Sequence, residues 1–306
     1  MNISEHDILF LYGSHSHLEN IIFSAFYILV FIMAVPGNAL ALWAFFHQDS
    51  MSPSKIFLMH LAFADIFYVL ILPMRIVYHL SDNHWPFGHV ICQLAGFLFY
   101  LNLYCSMYLM SFISLDRFMA VVLPLKSQSV RKVLYANIAA GLLWLIIILL
   151  MSPMLLSRVN ETNNSTGFCN KLYLEKASPK ALLSTVVAFV LPLTTIVASY
   201  ILILQKLKTV KQRPVKDKAK KKVILILMNF LLAFVPYHVC RVIYIDSHDR
   251  GHMTAASHEA LGRANWITSA LTCVSGVLDP VMYFFLNRTY REKLLQLFCK
   301  RGENDP

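Results

Sequence analysis

Asp116-Arg117-Phe118 closes an apolar run that begins near Cys92. Arg117 lies about 37 Å of helix beyond Cys92, at about 1.5 Å per residue, enough to cross a hydrocarbon core of about 30 Å. A lone arginine there would be read as snorkelling to the interface; an aspartate beside it argues for an ion pair at the inner end of the helix. A second group, Asp65, Asn102, Ser106, Ser275 and Asp279, sits at membrane depth, in the middle or inner half of apolar segments. Polar groups there are costly unless paired. Two carboxylates with amide and hydroxyl neighbours can hold a cation or share a proton, or simply order helix packing. A third group is cationic and aromatic. Arg75 and Arg241 fall in the outer parts of their segments, and guanidinium forks suit phosphate or carboxylate. His238 precedes Arg241 by three residues and can share its helix face, while Tyr100 and Tyr104, at i and i+4, add aromatic walls with hydroxyls. The plain alternatives are snorkelling for the arginines and core packing for the tyrosines.

The elements that must hold these groups follow from composition. With 57% hydrophobic and 14% charged residues, the chain is too apolar for a soluble globule, in which about a quarter of residues are charged. Apolar stretches long enough to span a bilayer fall near 21–46, 54–79, 90–122, 133–156, 180–207, 219–244 and 261–285. The expected fold is therefore all-α, a seven-transmembrane helix bundle. Net charge +10 resembles a nucleic-acid signal until the charges are located. Two thirds of the lysines and arginines sit in alternate loops and the tail: Lys55, then Lys126 to Lys132, then Lys206 to Lys222, then Arg288 onward. This pattern makes those segments cytoplasmic, puts the N-terminus outside and the C-terminus inside, and removes the case for nucleic acid. The segment Met1 to Asn20 carries Glu5, Asp7 and Glu19 with no basic region leading into an apolar core, so the first span is expected to direct insertion.

The two faces differ in chemistry. Glycosylation sequons at Asn2, Asn160, Asn163 and Asn164 all fall on the expected outer side, whereas the sequon at Asn287 falls inside. Cys92 and Cys169 are the cysteines near the outer, oxidising surface and are expected to form a disulfide. Cys105, Cys240 and Cys273 lie within spans and read as small apolar packing residues. Prolines at 36, 73, 153, 192, 236 and 280 mark six spans as kink candidates, with Asp279-Pro280 the most specific. Lys206 to Lys222 is a short basic linker containing Pro214, suited to anionic lipid or to the rim of an effector site. Asn287 to Phe298 reads as an amphipathic helix, with Tyr290, Leu294, Leu297 and Phe298 on one side and Arg288, Arg291 and Lys293 on the other; Cys299 at its end is a palmitoylation candidate. The expected organisation is an extracellular N-terminus over 1–20, a seven-helix domain over 21–285, and an amphipathic helix with cytoplasmic tail over 286–306.

These residues carry a resemblance. Gly37-Asn38, Leu61-Ala62-Phe63-Ala64-Asp65, Cys92, Asp116-Arg117-Phe118, Trp144, Pro192, Tyr200, Phe234-Val235-Pro236-Tyr237 and Asp279-Pro280-Val281-Met282-Tyr283 follow one another as the landmarks of rhodopsin-type (class A) G-protein-coupled receptors do. The chain resembles that family over nearly its whole length. Its departures are Phe118 where many members have Tyr, Phe234 where many have Trp, Asp279 where many have Asn, and Ser275 where an Asn often completes a sodium pocket. The first three resemble the branch that binds nucleotides and lipid mediators, as do Leu72-Pro73-Met74-Arg75, Asn83-His84-Trp85-Pro86-Phe87-Gly88 and Gly96-Phe97-Leu98-Phe99-Tyr100. Members of that branch commonly tie the N-terminus to the third outer loop by a second disulfide, for which this chain has no cysteine in Met1 to Asn20 or Ile245 to Ala260.

The resemblance implies a plasma-membrane receptor for an extracellular anionic ligand, a uracil nucleotide or a cysteinyl leukotriene-like lipid mediator. Arg75, Phe99, Tyr100, Tyr104, His238 and Arg241 would line its site. It implies coupling to a heterotrimeric G protein, of the inhibitory class, with arrestin as a further candidate partner. Asp116, Arg117, Tyr200, Phe234, Pro236, Asp279, Pro280 and Tyr283 would form the activation and coupling set, and a sodium ion or proton would sit among Asp65, Asn102, Ser106, Ser275 and Asp279. High basal activity or another anionic lipid ligand is the nearest alternative. A transporter or channel would want broken helices in inverted repeats, and no such repeat is present. No nucleophile, base and orienting group converge as an enzyme requires. The position where a light sensor carries its Schiff-base lysine holds Cys273, and the position where an amine receptor carries its carboxylate holds Phe99.

Overall fold

The structure, a computed structural model, describes residues 17–47, 50–156, 169, 179–209, 213–249, 254–287, 290–292 and 294–296. Among them are seven helical stretches long and apolar enough to cross a membrane: His17–Phe46, Pro53–Leu80, Gly88–Val122, Val133–Leu156, Lys180–Lys208, Ala219–His248 and Glu259–Leu286. We call these spans one to seven. Each lies within a few residues of its sequence-based limits because the apolar length alone sets it. Short helical pieces at 290–292 and 294–296 follow, with Tyr290 buried edge-on against Tyr283 and Leu295 exposed. The sequon asparagines Asn2, Asn160, Asn163 and Asn164, and Cys299, lie outside the described residues.

Span three is the central post. It packs against spans two, four and five, while span one packs against spans two and seven. Span four contributes little to the interior: Leu142, Leu145, Ile146, Leu149 and Leu150 all face outward. At one end of span three Cys92 is bonded to Cys169, with Cα atoms 5.6 Å apart, as the sequence led one to expect. We refer to this as the disulfide end and to the opposite one as the Arg117 end.

Three spans are interrupted, and proline accounts for two of the breaks. Pro73 cannot donate to Val69, where the first helix of span two stops; Leu70 and Ile71 form a turn before Leu72–Leu80 resumes. Pro236 similarly follows the break at Phe234 between Arg213–Ala233 and Val235–Asp249. In span seven the outcome differs from the sequence reading. The break falls at Cys273, seven residues before Pro280, and Pro280 lies inside the continuous helix Val274–Leu286. Pro36, Pro153 and Pro192 are also within unbroken helices. Pro214 stands in the first turn of Arg213–Ala233, where its missing N–H has no intrahelical partner to lose, so the second half of the basic linker is helix.

Two contacts lock span one to span seven. Asn38 Nδ2 donates to the Ala34 carbonyl at 3.0 Å and to the Gly276 carbonyl at 2.8 Å. One residue earlier, Gly37 sits so close to Pro280 that a Cβ added there would lie 2.7 Å from the proline Cγ and 2.9 Å from its Cβ. At the disulfide end, Arg263 pairs with Glu19 at 3.4 Å and with Glu259 at 2.8 Å. Asn20 and His17 hydrogen-bond to Asp82 at 3.4 Å and 3.3 Å, and the hydrogen bond from His17 is the main reason the Asp82 carboxyl is held below the usual carboxylate range.

Gly37→Ala is therefore expected to be destabilising by about 1–3 kcal/mol, because a rigid ring rather than a flexible chain end must yield. Thermal unfolding of the purified protein checks this, and Gly141→Ala, where a Cβ would meet nothing within 4 Å, should not show the loss. Cys92→Ala and Cys169→Ala should lower surface expression equally, with the double variant no worse than either. Non-reducing peptide mapping would identify the bond directly.

Candidate functional site

The cationic and aromatic residues form a continuous cluster toward the disulfide end. Arg75 is 0% exposed and its Nη1 donates to the Tyr27 hydroxyl at 3.1 Å. Its guanidinium lies 4.7 Å from the ring centre of Phe99, 5.7 Å from Tyr27 and 5.9 Å from Tyr68. A snorkelling arginine would keep its head in water, whereas this one is enclosed by π faces. From Phe99 the rings close into a loop: Phe99 meets Tyr100 at 4.9 Å and Tyr237 at 6.0 Å, Tyr237 meets His238 at 5.1 Å, His238 meets Tyr104 at 6.4 Å, and Tyr104 stacks on Tyr100 at 6.4 Å.

His238 is buried, bonded through Nδ1 to the Phe234 carbonyl at 2.8 Å and stacked on Phe189 at 4.4 Å; its Nε2 has no hydrogen-bond partner. Arg241 is 1% exposed and lies 5.6 Å from the Tyr244 ring. Of the six sequence-derived residues all but the half-buried Tyr104 are buried, and five of the six, Arg75, Phe99, Tyr100, Tyr104 and His238, join through direct ring or cation contacts. Tyr27, Tyr68 and Phe189 were not anticipated. Tyr68 stands seven residues before Arg75 and shares its helix face, a spacing that marks it; Tyr27 and Phe189 are on other spans and leave no local signal. A separate cavity of about 320 Å³, lined by Ile22, Phe23, Phe26, Ile267, Ala270 and Leu271 with Glu19 and Arg263 at its rim, opens between spans one and seven and does not include these residues.

Midway along the bundle, Asn102 Nδ2 donates to Asp65 at 3.2 Å and to Ser106 at 3.3 Å, and the Tyr283 hydroxyl donates to Asp65 at 3.4 Å. Asn229, a single amide within an apolar run, donates to Asp279 Oδ1 at 2.6 Å. Asp279 Oδ2 is buried with no amide or hydroxyl donor on it, and the Asp279 carboxyl lies within hydrogen-bonding reach of the Asp65 carboxyl. Ser275 differs from expectation: its hydroxyl is turned to the Thr272 carbonyl at 2.8 Å rather than to either carboxylate. A serine within a helix can donate in this way to a backbone carbonyl of the preceding turn.

At the opposite end Asp116 is 1% exposed, and its partners are not the ones its neighbour suggests. Arg131 takes both carboxylate oxygens, Nε to Oδ1 at 2.7 Å and Nη2 to Oδ2 at 3.2 Å. Ser54 donates to Asp116 Oδ2 and accepts from Arg117, bridging the two. Arg117 itself stands 3.7 Å from Asp116. The adjacent ion pair read from the sequence exists, but as the weaker member of a network supplied by two other segments. Tyr200 and Tyr283 are buried. The Tyr200 hydroxyl accepts from Ser114 at 2.8 Å, and Tyr283 is directed at Asp65, so neither bonds to Arg117.

The sequence profile of the family described as "7 transmembrane receptor (rhodopsin family)" matches residues 37–283. The chain is 46% identical over 297 residues to the uracil nucleotide/cysteinyl leukotriene receptor of Mus musculus, an alignment covering 96% of this chain and 88% of that one. Against the same receptor of Homo sapiens it is 46% identical over 299 residues, covering 96% and 81%. It is 32% identical over 290 residues to a purinoceptor of Rattus norvegicus, covering 88% and 75%.

The Ser54 bridge gives a direct test of the network at the Arg117 end. Removing a hydroxyl that joins two charged groups costs about 1–3 kcal/mol when both remain buried. Ser54→Ala should lower the unfolding temperature accordingly, and Ser54→Thr, which keeps the hydroxyl, should recover most of it.

Proposed function

Because the chain belongs to the rhodopsin family of seven-transmembrane receptors, we propose that it binds an anionic ligand at the disulfide end and passes the signal to a heterotrimeric G protein at the Arg117 end. The observation that carries this reading is the pair of buried guanidiniums, Arg75 among the rings of Phe99, Tyr27 and Tyr68 and Arg241 beside the ring of Tyr244. Buried cations of this kind are poised to engage phosphate or carboxylate through charge-assisted hydrogen bonds. The relatives' names point to a uracil nucleotide or a cysteinyl leukotriene as the ligand class, and both are anionic with a flat or extended apolar part that Phe99, Tyr100, Tyr104 and His238 suit. Lysine and arginine placement supports an orientation with the disulfide end outside the cell and the Arg117 end in the cytosol. The inhibitory class of G protein is our assignment for the partner, with arrestin as a second cytosolic one.

The receptor acts by population shift: ligand favours a state in which the Arg117 end is open to the G protein. Arg117 leaves Asp116 and Ser54 and contacts the G protein, with Tyr200 and Tyr283 closing behind it. Phe234, Pro236 and Pro280 lie where the helices bend or cross between the two ends. Asp65, Asn102, Ser106 and Asp279 would hold a sodium ion or share a proton, a role supported by the two buried carboxyls of Asp65 and Asp279 lying within hydrogen-bonding reach of one another; hard oxygen ligands suit such a cation. A second reading, coupling without ligand, is favoured by the loose 3.7 Å contact between Arg117 and Asp116.

Guanine-nucleotide exchange in membranes with and without UDP and a cysteinyl leukotriene tests the whole reading. Arg241→Ala should weaken agonist potency roughly 10- to 150-fold at unchanged surface expression, the size of one charge-assisted contact. Arg241→Lys should recover only part, because the planar fork is lost. Overlapping dose-response curves for the three proteins would remove Arg241 from the site. Arg117→Glu should abolish exchange at normal expression, and wild-type coupling by that variant would end its assignment.

A further inference from the structure

We propose that Arg131 is a positioning residue for G-protein engagement: by taking both oxygens of Asp116 it weakens the hold of that carboxylate on Arg117. This rests on the role given to Arg117 above. The connector after span three places Arg131 in position. Pro124–Val130 is a short helix, Ser127 bonds back to the Pro124 carbonyl at 2.9 Å, and the Arg131 amide closes on the Ser127 carbonyl at 2.8 Å. The chain thereby returns Arg131 to the face of span three that carries Asp116. Its guanidinium meets the carboxylate as a fork, the geometry in which arginine binds a carboxylate most strongly.

A carboxylate has a limited number of good acceptor directions. Here Oδ1 takes Arg131 Nε, and Oδ2 takes Arg131 Nη2 and the Ser54 hydroxyl. Arg117, although covalently next door, is left at 3.7 Å and bonds to Ser54 instead. Asp116 is 1% exposed, so its charge must be neutralised by protein; without Arg131 the cation nearest to hand is Arg117. Removing Arg131 thus drives Arg117 onto Asp116 and raises the cost of the step that frees it. The sign is definite. Arg131 favours coupling, whereas a residue that merely latched the resting state would oppose it.

The experiment needs no ligand. Nucleotide-free heterotrimeric G protein is titrated against apo receptor in nanodiscs, for wild type, Arg131→Ala, Arg131→Gln and Arg131→Lys. Ala and Gln should weaken the affinity roughly tenfold, the lower end for one charge-assisted contact, and Lys should recover part of it as a point charge without the fork. In an Asp116→Asn background, where the carboxylate charge is gone, the same Arg131→Ala change should lose most of its effect, since coupled residues are non-additive. A purely structural loss would appear equally in both backgrounds and would overturn the proposal, as would unchanged or tighter binding by Arg131→Ala. Should that variant fail to reach the membrane, Gln and Lys carry the same comparison. Arg117→Glu separates the two ideas: intact affinity for it ends the Arg117 assignment, while its loss beside wild-type binding by the Arg131 variants ends only this one.

Discussion

A hydrocarbon core supplies no hydrogen bonds, so every polar group carried into it must be answered by protein. That constraint organises this receptor more than any single apolar contact does. Its interior holds Arg75 and Arg241 near one end, Asp65 and Asp279 midway, and Asp116 at the other, each at 1% exposure or less. The helices between them are spaced by what those groups need: rings around Arg75, amides and hydroxyls around the mid-bundle acids, and a guanidinium fork on Asp116. Apolar residues such as Leu142 and Leu149 are free to face outward because lipid receives them as well as the interior does.

Such burial makes each polar cluster a place where the bundle has alternatives. A guanidinium among aromatic rings is stabilised by cation-π attraction while its N–H groups keep the capacity to donate hydrogen bonds. A carboxylate shared by two arginines can favour either. Stability and response therefore draw on the same residues, and a substitution in these clusters is expected to move both. The outward faces of spans four and five, by contrast, can vary with little consequence for either.

Much of the architecture was legible in the sequence. The span limits followed from apolar length, the disulfide from the position of two cysteines, and the participation of Asp65, Asn102, Asp116 and Asp279 from the cost of placing polarity at depth. Partners on other helices were not legible. Asn229, Ser54 and Tyr27 have ordinary local contexts and acquire meaning only when the bundle brings Asp279, Asp116 and Arg75 to them. Arg131 was read as one more cytoplasmic charge because its local sequence fits that role equally well. The break at Cys273 shows a further limit: Pro280 announces a kink, yet its packing against Gly37 fits the continuous helix and the interruption falls two turns earlier. Ser275 shows the reverse case, a residue of suitable chemistry whose hydroxyl is claimed by its own backbone.

The collar of the bundle at the disulfide end is fastened in two different ways. On the side of span three the fastening is a covalent bond that neither salt nor dilution alters. Across spans one and seven it is the Glu19–Arg263–Glu259 triad, half-exposed and therefore within reach of screening by dissolved ions over about 8 Å at physiological ionic strength. The rim is thus stiff on one side and compliant on the other. Ionic strength acts on it as an asymmetric spring, softening the seam beside the cavity between spans one and seven while leaving the opposite wall unchanged.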